Sequence, residues 1–418
     1  MIVELPYGKT TLRVEIPDRC YAGTLEPKDD TEAPDPEGEV RRALARPIGS
    51  PPLRELVSPR QRVVILASDI SRPAPSTLML PPILDELSEA GVPDAHITVI
   101  FGLGIHRRQT SEERRGLVGS GVFDRVECID HDIEACVEVG VTSRGNHAEV
   151  NRRVAEADFV IATGNLEYHY FAGYSGGAKA LAPGVCGRAT IEANHRLFVE
   201  QGARCGRIEG NPLREELEEI AAMTGVDFML NLVLNRRKRV IRAVAGDVTL
   251  AHRAGVESID RIYRVAIDRR ADIVIVTPGG FPKDMTLYQA HKAMQNALQA
   301  LKPGGILLTA AHCREGIGDE KLAGAFTDGT SLVDLAGELG RVFIQGRHIA
   351  SQMARILLDH EIYLVTDMAS DPRSRLFFPT FDSIEAALAA ALEKKGRDAG
   401  VLVLPYGIST LPAVESAQ

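Results

Sequence analysis

His106, His169, Lys179 and His195 stand in three short runs: GIHRR at 104–108, EYHYFAGYSGGAKALAPG at 167–184 and IEANH at 191–195. Imidazoles exchange protons near neutral pH and bind metals, while a lysine amine can hold an anion or form a covalent link to a cofactor. Gly173, Gly176 and Gly177 surround the lysine, and glycine lets a backbone come close to a ligand. An ordinary core segment has no use for all of these together.

The flanking residues say which elements must carry them. RVVILA at 62–67, ITVIF at 97–101 and DFVIATG at 158–164 are short β-rich runs, separated by helical patterns such as STLMLPPILDELSEAG. DISRP at 69–73 follows the first run, GIHRR the second and GNLEYHY the third, so the chemistry falls at strand ends. Open α/β sheets leave their ligand crevice there. A second series, DIVIVTPGG, GGILLTAAH, RVFIQG, EIYLVTD and GVLVLP, alternates with helices such as DMTLYQAHKAMQNALQALK. The fold class expected is α/β: two α/β domains with mostly parallel sheets and an active-site cleft between them. A helix over TLAHRAGVESIDRIYRVAI at 249–267 would join domain 1–267 to domain 268–418, with the last strand free to return to the first. MIVELPYGKTTLRVEIP alternates as a strand pair, and KDDTEAPDPEGE at 28–39 reads as a solvated connector.

Each site residue has a plain reading beside a chemical one. His106 and His169 are loop histidines or, at two strand ends, a pair of imidazoles facing opposite sides of one substrate carbon. Lys179 either binds a phosphate at the glycine turn or anchors a cofactor. His195 is a polar-face helix residue or a metal donor. Asp69 and Arg72 form a local ion pair or serve a ligand. Gln289 and Lys292, three apart in YQAHK, share a helix face that is solvated or binds a carboxylate, with Tyr288 shaping the pocket.

DISRP, GIHRR, YSGGAKALAPG with its following histidine, and YQAHK, in that order, resemble the nickel-pincer-nucleotide lactate racemase family of 2-hydroxyacid racemases and epimerases. The resemblance runs along nearly the whole chain. It implies that Lys179 carries, through a thioamide, a pyridinium-3-thioamide-5-thiocarboxylate mononucleotide that holds nickel, with His195 as the protein's nickel ligand. Asp69, Ser71, Arg72, Gly176 and Gly177 would then contact the cofactor. Arg72, Tyr288, Gln289 and Lys292 would hold a small 2-hydroxy acid. It further implies hydride transfer from C2 to the pincer while His106 or His169 takes the hydroxyl proton, and it implies cofactor-biosynthesis proteins for maturation.

The sequence departs from the family in two places. It contains no tryptophan, although an aromatic wall is expected near the helix beginning around Ile349, and its loop reads GGAK where GGRK is more usual. The first points to a substrate larger than lactate, with lactate itself as the alternative. Composition narrows the class. At 418 residues and 44% hydrophobic content a sizeable core is available, and a net charge of -9 disfavours a nucleic-acid partner. Six dispersed cysteines without a CxxC pair read as reduced thiols of a cytoplasmic protein, and neither a signal peptide nor a membrane span is evident. The readings from other classes are a metal-dependent hydrolase ligated by His106, His169 and His195, and a noncatalytic carboxylate-binding homologue. His131, His147, His252, His291, His312, His348 and His360 have no expected role.

Overall fold

The computed structural model describes residues 1–28, 31–72 and 74–414, so Asp29 and Asp30 of the acidic connector, Pro73 of DISRP and the last four residues lie outside it. The chain divides into two compact units, Asp29–Arg261 and Met1–Lys28 with Ile262–Gln418.

In the first unit, six strands lie in the order Val240–Gly246, Phe228–Leu234, Phe159–Leu166, Val63–Ser68, Ile97–Gly102, Glu127–Asp130. All neighbours are parallel except the first pair. Central strands covered on both faces need continuous apolar runs, and Val63 to Ala67 are all buried. Two clusters fill the two sides, one including Ile65, Ile161 and Leu230, the other Leu66, Ile100 and Val160. Each such side chain contributes about 1.5–3 kcal/mol on leaving water. Strand order reverses between Val63–Ser68 and Phe159–Leu166: later strands are added on one side, then on the other. A crevice opens at such a switch point, beyond the strands' carboxyl ends.

The second unit holds a parallel sheet ordered Thr380–Phe381, Glu361–Val365, Leu301–Ala310, Ala271–Val276, Val401–Leu404, Tyr21–Thr24. The hairpin Ile2–Tyr7 with Thr10–Glu15 forms as its alternation predicts.

Several expectations are corrected. Residues 1–28 belong with the second unit rather than with the domain expected at 1–267. The inward face of the hairpin, Leu5, Tyr7 and Val14, is covered by Ile273, Ile275 and Val403, and Tyr21–Thr24 extends the sheet beside Val401–Leu404. The last strand of the expected series, Val401–Leu404, does not return to the first unit but lies between Ala271–Val276 and Tyr21–Thr24, and a further strand, Leu411–Val414, pairs with Arg264–Ile267. The helix expected over 249–267 therefore stops at Tyr263, because RVAI is taken up as a strand. RVFIQG at 341–346 is not a strand but a turn leading into the helix Arg347–Asp359. The connector ends early: Pro36 starts a helix capped by Asp35, whose carboxylate accepts from Gly38 N–H.

Candidate active site

The loop after Val63–Ser68 and the loop after Ile97–Gly102 meet at His106. Its Nδ1 lies 2.7 Å from Asp69 Oδ2 and 2.9 Å from Ser71 Oγ, and Ser71 Oγ donates to both Asp69 oxygens at 2.8 and 2.9 Å. Burial works to raise the Asp69 carboxyl. Hydrogen bonds from His106 and Ser71, with the charge of Arg72, more than cancel that effect and hold it below its usual range. An ionised carboxylate only accepts, so Nδ1 of His106 carries the hydrogen and Nε2 presents a lone pair. Gln109 ties the two loops together: it accepts from Ile70 N–H at 2.8 Å and donates to Asp130 at the end of a third strand. The plain alternative for Asp69 and Arg72, a local ion pair, is not formed among the described residues. Asp69 serves His106, and Arg72 is exposed.

Because its folded pKa is lowered, Asp69 contributes stability above its unfolded value, and that contribution is lost only as pH falls through the folded one. The pair with His106 is therefore intact at neutral pH. Asp69→Asn is expected to lower kcat by roughly tenfold or more, since an amide no longer enforces one imidazole tautomer. KM should change much less. An unchanged kcat in steady-state assays would remove Asp69 from its role as the group that positions His106.

His169 sits on a two-strand hairpin, Tyr168–His169 against Gly173–Tyr174. Asp260 Oδ1 accepts from Tyr168 OH at 2.9 Å and Tyr174 OH at 2.6 Å, tying the hairpin to the helix Leu250–Tyr263. Ala172 N–H donates to His169 Nδ1 at 3.3 Å, which puts the ring hydrogen of neutral His169 on Nε2, the reverse of His106. Phe171 stands edge-on to His169 at 4.4 Å between ring centroids and to His195 at 5.2 Å, so one aromatic links the two imidazoles.

Lys179 follows on a single turn, Gly177–Ala180. The glycines before it are required, but for a different reason from the expected ligand approach. Gly173, Gly176 and Gly177 have φ of 76°, 74° and 57°, and the space a Cβ would take is filled by Arg207 O, Asn231 Oδ1 and His252 respectively. The amide of Gly177 donates to Asn231 Oδ1 at 2.8 Å. The glycines thus seat the loop that carries Lys179 against the protein. Burial, together with the charges of Arg72 and Arg214, pushes the Lys179 ammonium well below its usual range, and Glu167 only partly opposes them. Among the described residues its amine forms no ion pair. Just beyond it, Gly184 O accepts from Gly104 N–H at 2.8 Å, joining the lysine segment to the His106 loop.

His195 lies near the end of the helix Arg188–Arg196, half-buried. Its neighbour Asn194 donates to Glu216 at 2.8 Å and to Leu213 O at 3.2 Å, both on the helix Pro212–Thr224. That helix is the frame of the site. Its N-cap Asn211 donates to Phe171 O at 2.8 Å, and Arg214 donates to Tyr174 O at 3.3 Å. In sequence the run GNPLREELEE at 210–219 shows only a helix start, with nothing to signal this role. An arginine in a first helical turn carries no signal that it is buried.

In the other unit, Thr286 caps the helix Leu287–Ala297. Gln289 and Lys292 share one face as expected, and Lys292 Nζ donates to Gln289 Oε1 at 2.8 Å. Tyr288 packs edge-on to His291, which burial and the Lys292 charge push down to about 3. His291 is therefore neutral filling, while Tyr288, Gln289 and Lys292 keep accessible surface.

The loops at the carboxyl edge of this mostly parallel sheet carry a histidine oriented by a carboxylate, a second histidine and a lysine whose ammonium is pushed below its usual range, groups of the kind an enzyme uses for acid–base chemistry on a small ligand. The lactate racemase N-terminal domain matches residues 7–206 and the lactate racemase C-terminal domain residues 267–411. A lactate racemase of Lactiplantibacillus plantarum is 33% identical, covering 98% of this chain and 99% of its own. One of Thermoanaerobacterium thermosaccharolyticum is 31% identical, covering 98% of both. The lactate racemase apoprotein structure from the latter organism superposes with a TM-score of 0.91 at 31% identity, covering 99% of this chain and 100% of that one. The chain belongs to the lactate racemase family and is an isomerase.

Among the described residues, no helix is long and apolar enough to cross a membrane, and all six cysteines are free thiols.

Proposed function

We propose that the chain inverts the C2 centre of a 2-hydroxy acid larger than lactate, using a nickel-pincer nucleotide joined to Lys179. The observation that carries this reading is the Lys179 amine, on a glycine loop seated against the protein and without an ion-pair partner among the described residues, its ammonium pushed well below the usual range by burial and by the charges of Arg72 and Arg214. The residues also fit the metal. Among the described residues no three His, Cys, Asp or Glu side chains converge as ligands, which leaves the hydrolase reading without its ligand set. A pincer brings its own carbon and sulfur donors and needs one imidazole, which His195 can supply.

When bound, the pincer would supply a reversible hydride acceptor for C2. The protein's part is proton transfer and retention. His106, with its lone pair at Nε2 and Asp69 behind Nδ1, takes the hydroxyl proton of one enantiomer, and the carboxylate stabilises the resulting imidazolium. His169 offers Nε2–H to the other face. To give that hydrogen without leaving an imidazolate, and to act as base in the reverse direction, His169 must exchange the Ala172 contact at Nδ1 for a proton. Arg72, which is exposed, is suited to a carboxylate, and so, in the other unit, is the pair Lys292 and Gln289. A cation on the carboxylate would keep the 2-keto acid from escaping between the half-reactions. Maturation would require cells that make the pincer.

The size argument rests on the absence of tryptophan. The aromatic near the start of the helix Arg347–Asp359 is Phe343, packed at 5.0 Å on His348. One methylene is worth about 1–3 kcal/mol of discrimination. A chiral-chromatography screen of 2-hydroxy and sugar acids is expected to give higher kcat/KM on a longer acid than on lactate, with deuterium at C2 slowing turnover. Turnover of lactate alone would refute the size argument, and solvent exchange into C2 at every turnover would refute hydride transfer.

A further inference from the structure

We infer that Arg214 is the positioning residue for Lys179, holding the backbone of the loop that bears it and setting a fixed positive charge beneath it so that the amine stands as a nucleophile. This rests on the reading of Lys179 as the attachment residue.

Arg214 is 1% exposed, among the most buried large side chains of the chain. A guanidinium in that position is costly unless every donor is used. Here each of the three nitrogens has a partner on the lysine loop or its supports. Nη1 donates to Tyr174 O at 3.3 Å, and Nε donates to Glu218 at 2.8 Å. Nη2 lies against His252, which in turn donates from Nε2 to Ser175 O at 2.9 Å. Two successive loop carbonyls are thus held, Tyr174 O by Arg214 on the helix Pro212–Thr224 and Ser175 O by His252 on the helix Leu250–Tyr263, and His252 also fills the space beside Gly177.

The charge count beneath the loop does not cancel. Arg253 binds Glu218 through two hydrogen bonds of 2.8 Å each, and the same carboxylate serves Arg214. Burial and the Arg214 charge push His252 well below its usual range, so it is neutral, its Nδ1 accepting from Arg253 and Arg214 at 3.1 Å. Burial lowers Arg214 itself only to about 10, which leaves it charged at neutral pH. Two cations then face one anion. Of these groups it is Arg214 whose charge, after that of Arg72, works to lower the Lys179 ammonium, while Glu167 works to raise it. Glu167 is exposed and is also paired with Lys238.

The test is competitive labelling with acetic anhydride across pH on the full chain, made in cells without the pincer, with the Lys179 peptide followed by mass spectrometry against other lysines. In this reaction the free amine attacks a carbonyl carbon, an N–C bond forms, acetate leaves and the amine proton passes to water, so the rate reports free amine. In Arg214→Met the labelling midpoint of Lys179 should move to higher pH, with rates on its acid side lowered by roughly threefold or more. Arg214→Lys, which keeps the charge, should stay near the wild-type profile. Glu218→Gln should move the midpoint the other way. Superimposable profiles for wild type and a folded Arg214→Met would overturn the inference. Where circular dichroism shows Arg214→Met unfolded, an unmoved midpoint in Glu218→Gln overturns it instead. The pincer reading is judged separately, by the intact mass of wild type from cofactor-making cells, so the two failures are distinguishable.

Discussion

Lys179→Ala, produced in cells that make the pincer cofactor, is expected to lose the covalent adduct and to fall to background turnover. Wild type from the same cells should show a raised intact mass, with the added mass mapping to the peptide that carries Lys179. The size of the effect follows from geometry. The loop is fixed at Tyr174 O, Ser175 O and Gly177 N, so no other amine can be brought to the same point. Alanine leaves those anchors untouched, so the fold should persist while the attachment atom is gone. Full activity from an unmodified wild-type chain would sink the proposal, whatever the behaviour of the mutant.

Replacing either histidine carries the second large effect. His106→Ala or His169→Ala is expected to reduce turnover by roughly 100-fold or more, the usual worth of a positioned acid or base. Nickel and adduct should remain, because neither ring is the proposed ligand. His195→Ala should instead release nickel while the adduct stays on Lys179. The two catalytic histidines need not behave alike. His106 is backed by an ionised carboxylate, whereas His169 accepts from a backbone amide, so loss of His106 should fall more heavily on the enantiomer whose proton it takes first. Measuring both directions by polarimetry separates them. Near-normal turnover in either alanine variant would remove that histidine as a proton carrier.

Much of the site was legible in the sequence because parallel sheets write themselves plainly. A continuous run such as VVILA can only be a covered strand, and the residues after it fall at the carboxyl edge where ligands bind. Asp69, His106 and His169 were therefore placed at strand ends from local pattern alone, and Gln289 with Lys292 on one helix face from a spacing of three. The identity of the lysine as a cofactor anchor came from resemblance to a family, not from any periodicity.

Other features were decided only by tertiary structure, since they join residues far apart in the chain. Nothing local says that Asp69 would choose His106 over Arg72, or that Ile2–Tyr7 would cover a sheet built almost three hundred residues later. RVFIQG has the composition of a strand but leads into a helix, and RVAI looked like the end of a helix until a partner strand at Leu411–Val414 claimed it. The glycines were read as making room for a ligand, yet the atoms that exclude a side chain there belong to Arg207, Asn231 and His252. Arg214 is the clearest case. Its charge is ordinary in sequence, and its role comes from burial beneath a loop thirty-five residues before it, where low polarity makes an unbalanced charge act strongly on its neighbours. Sequence determines which groups are present and on which element; only packing determines which of them share a field.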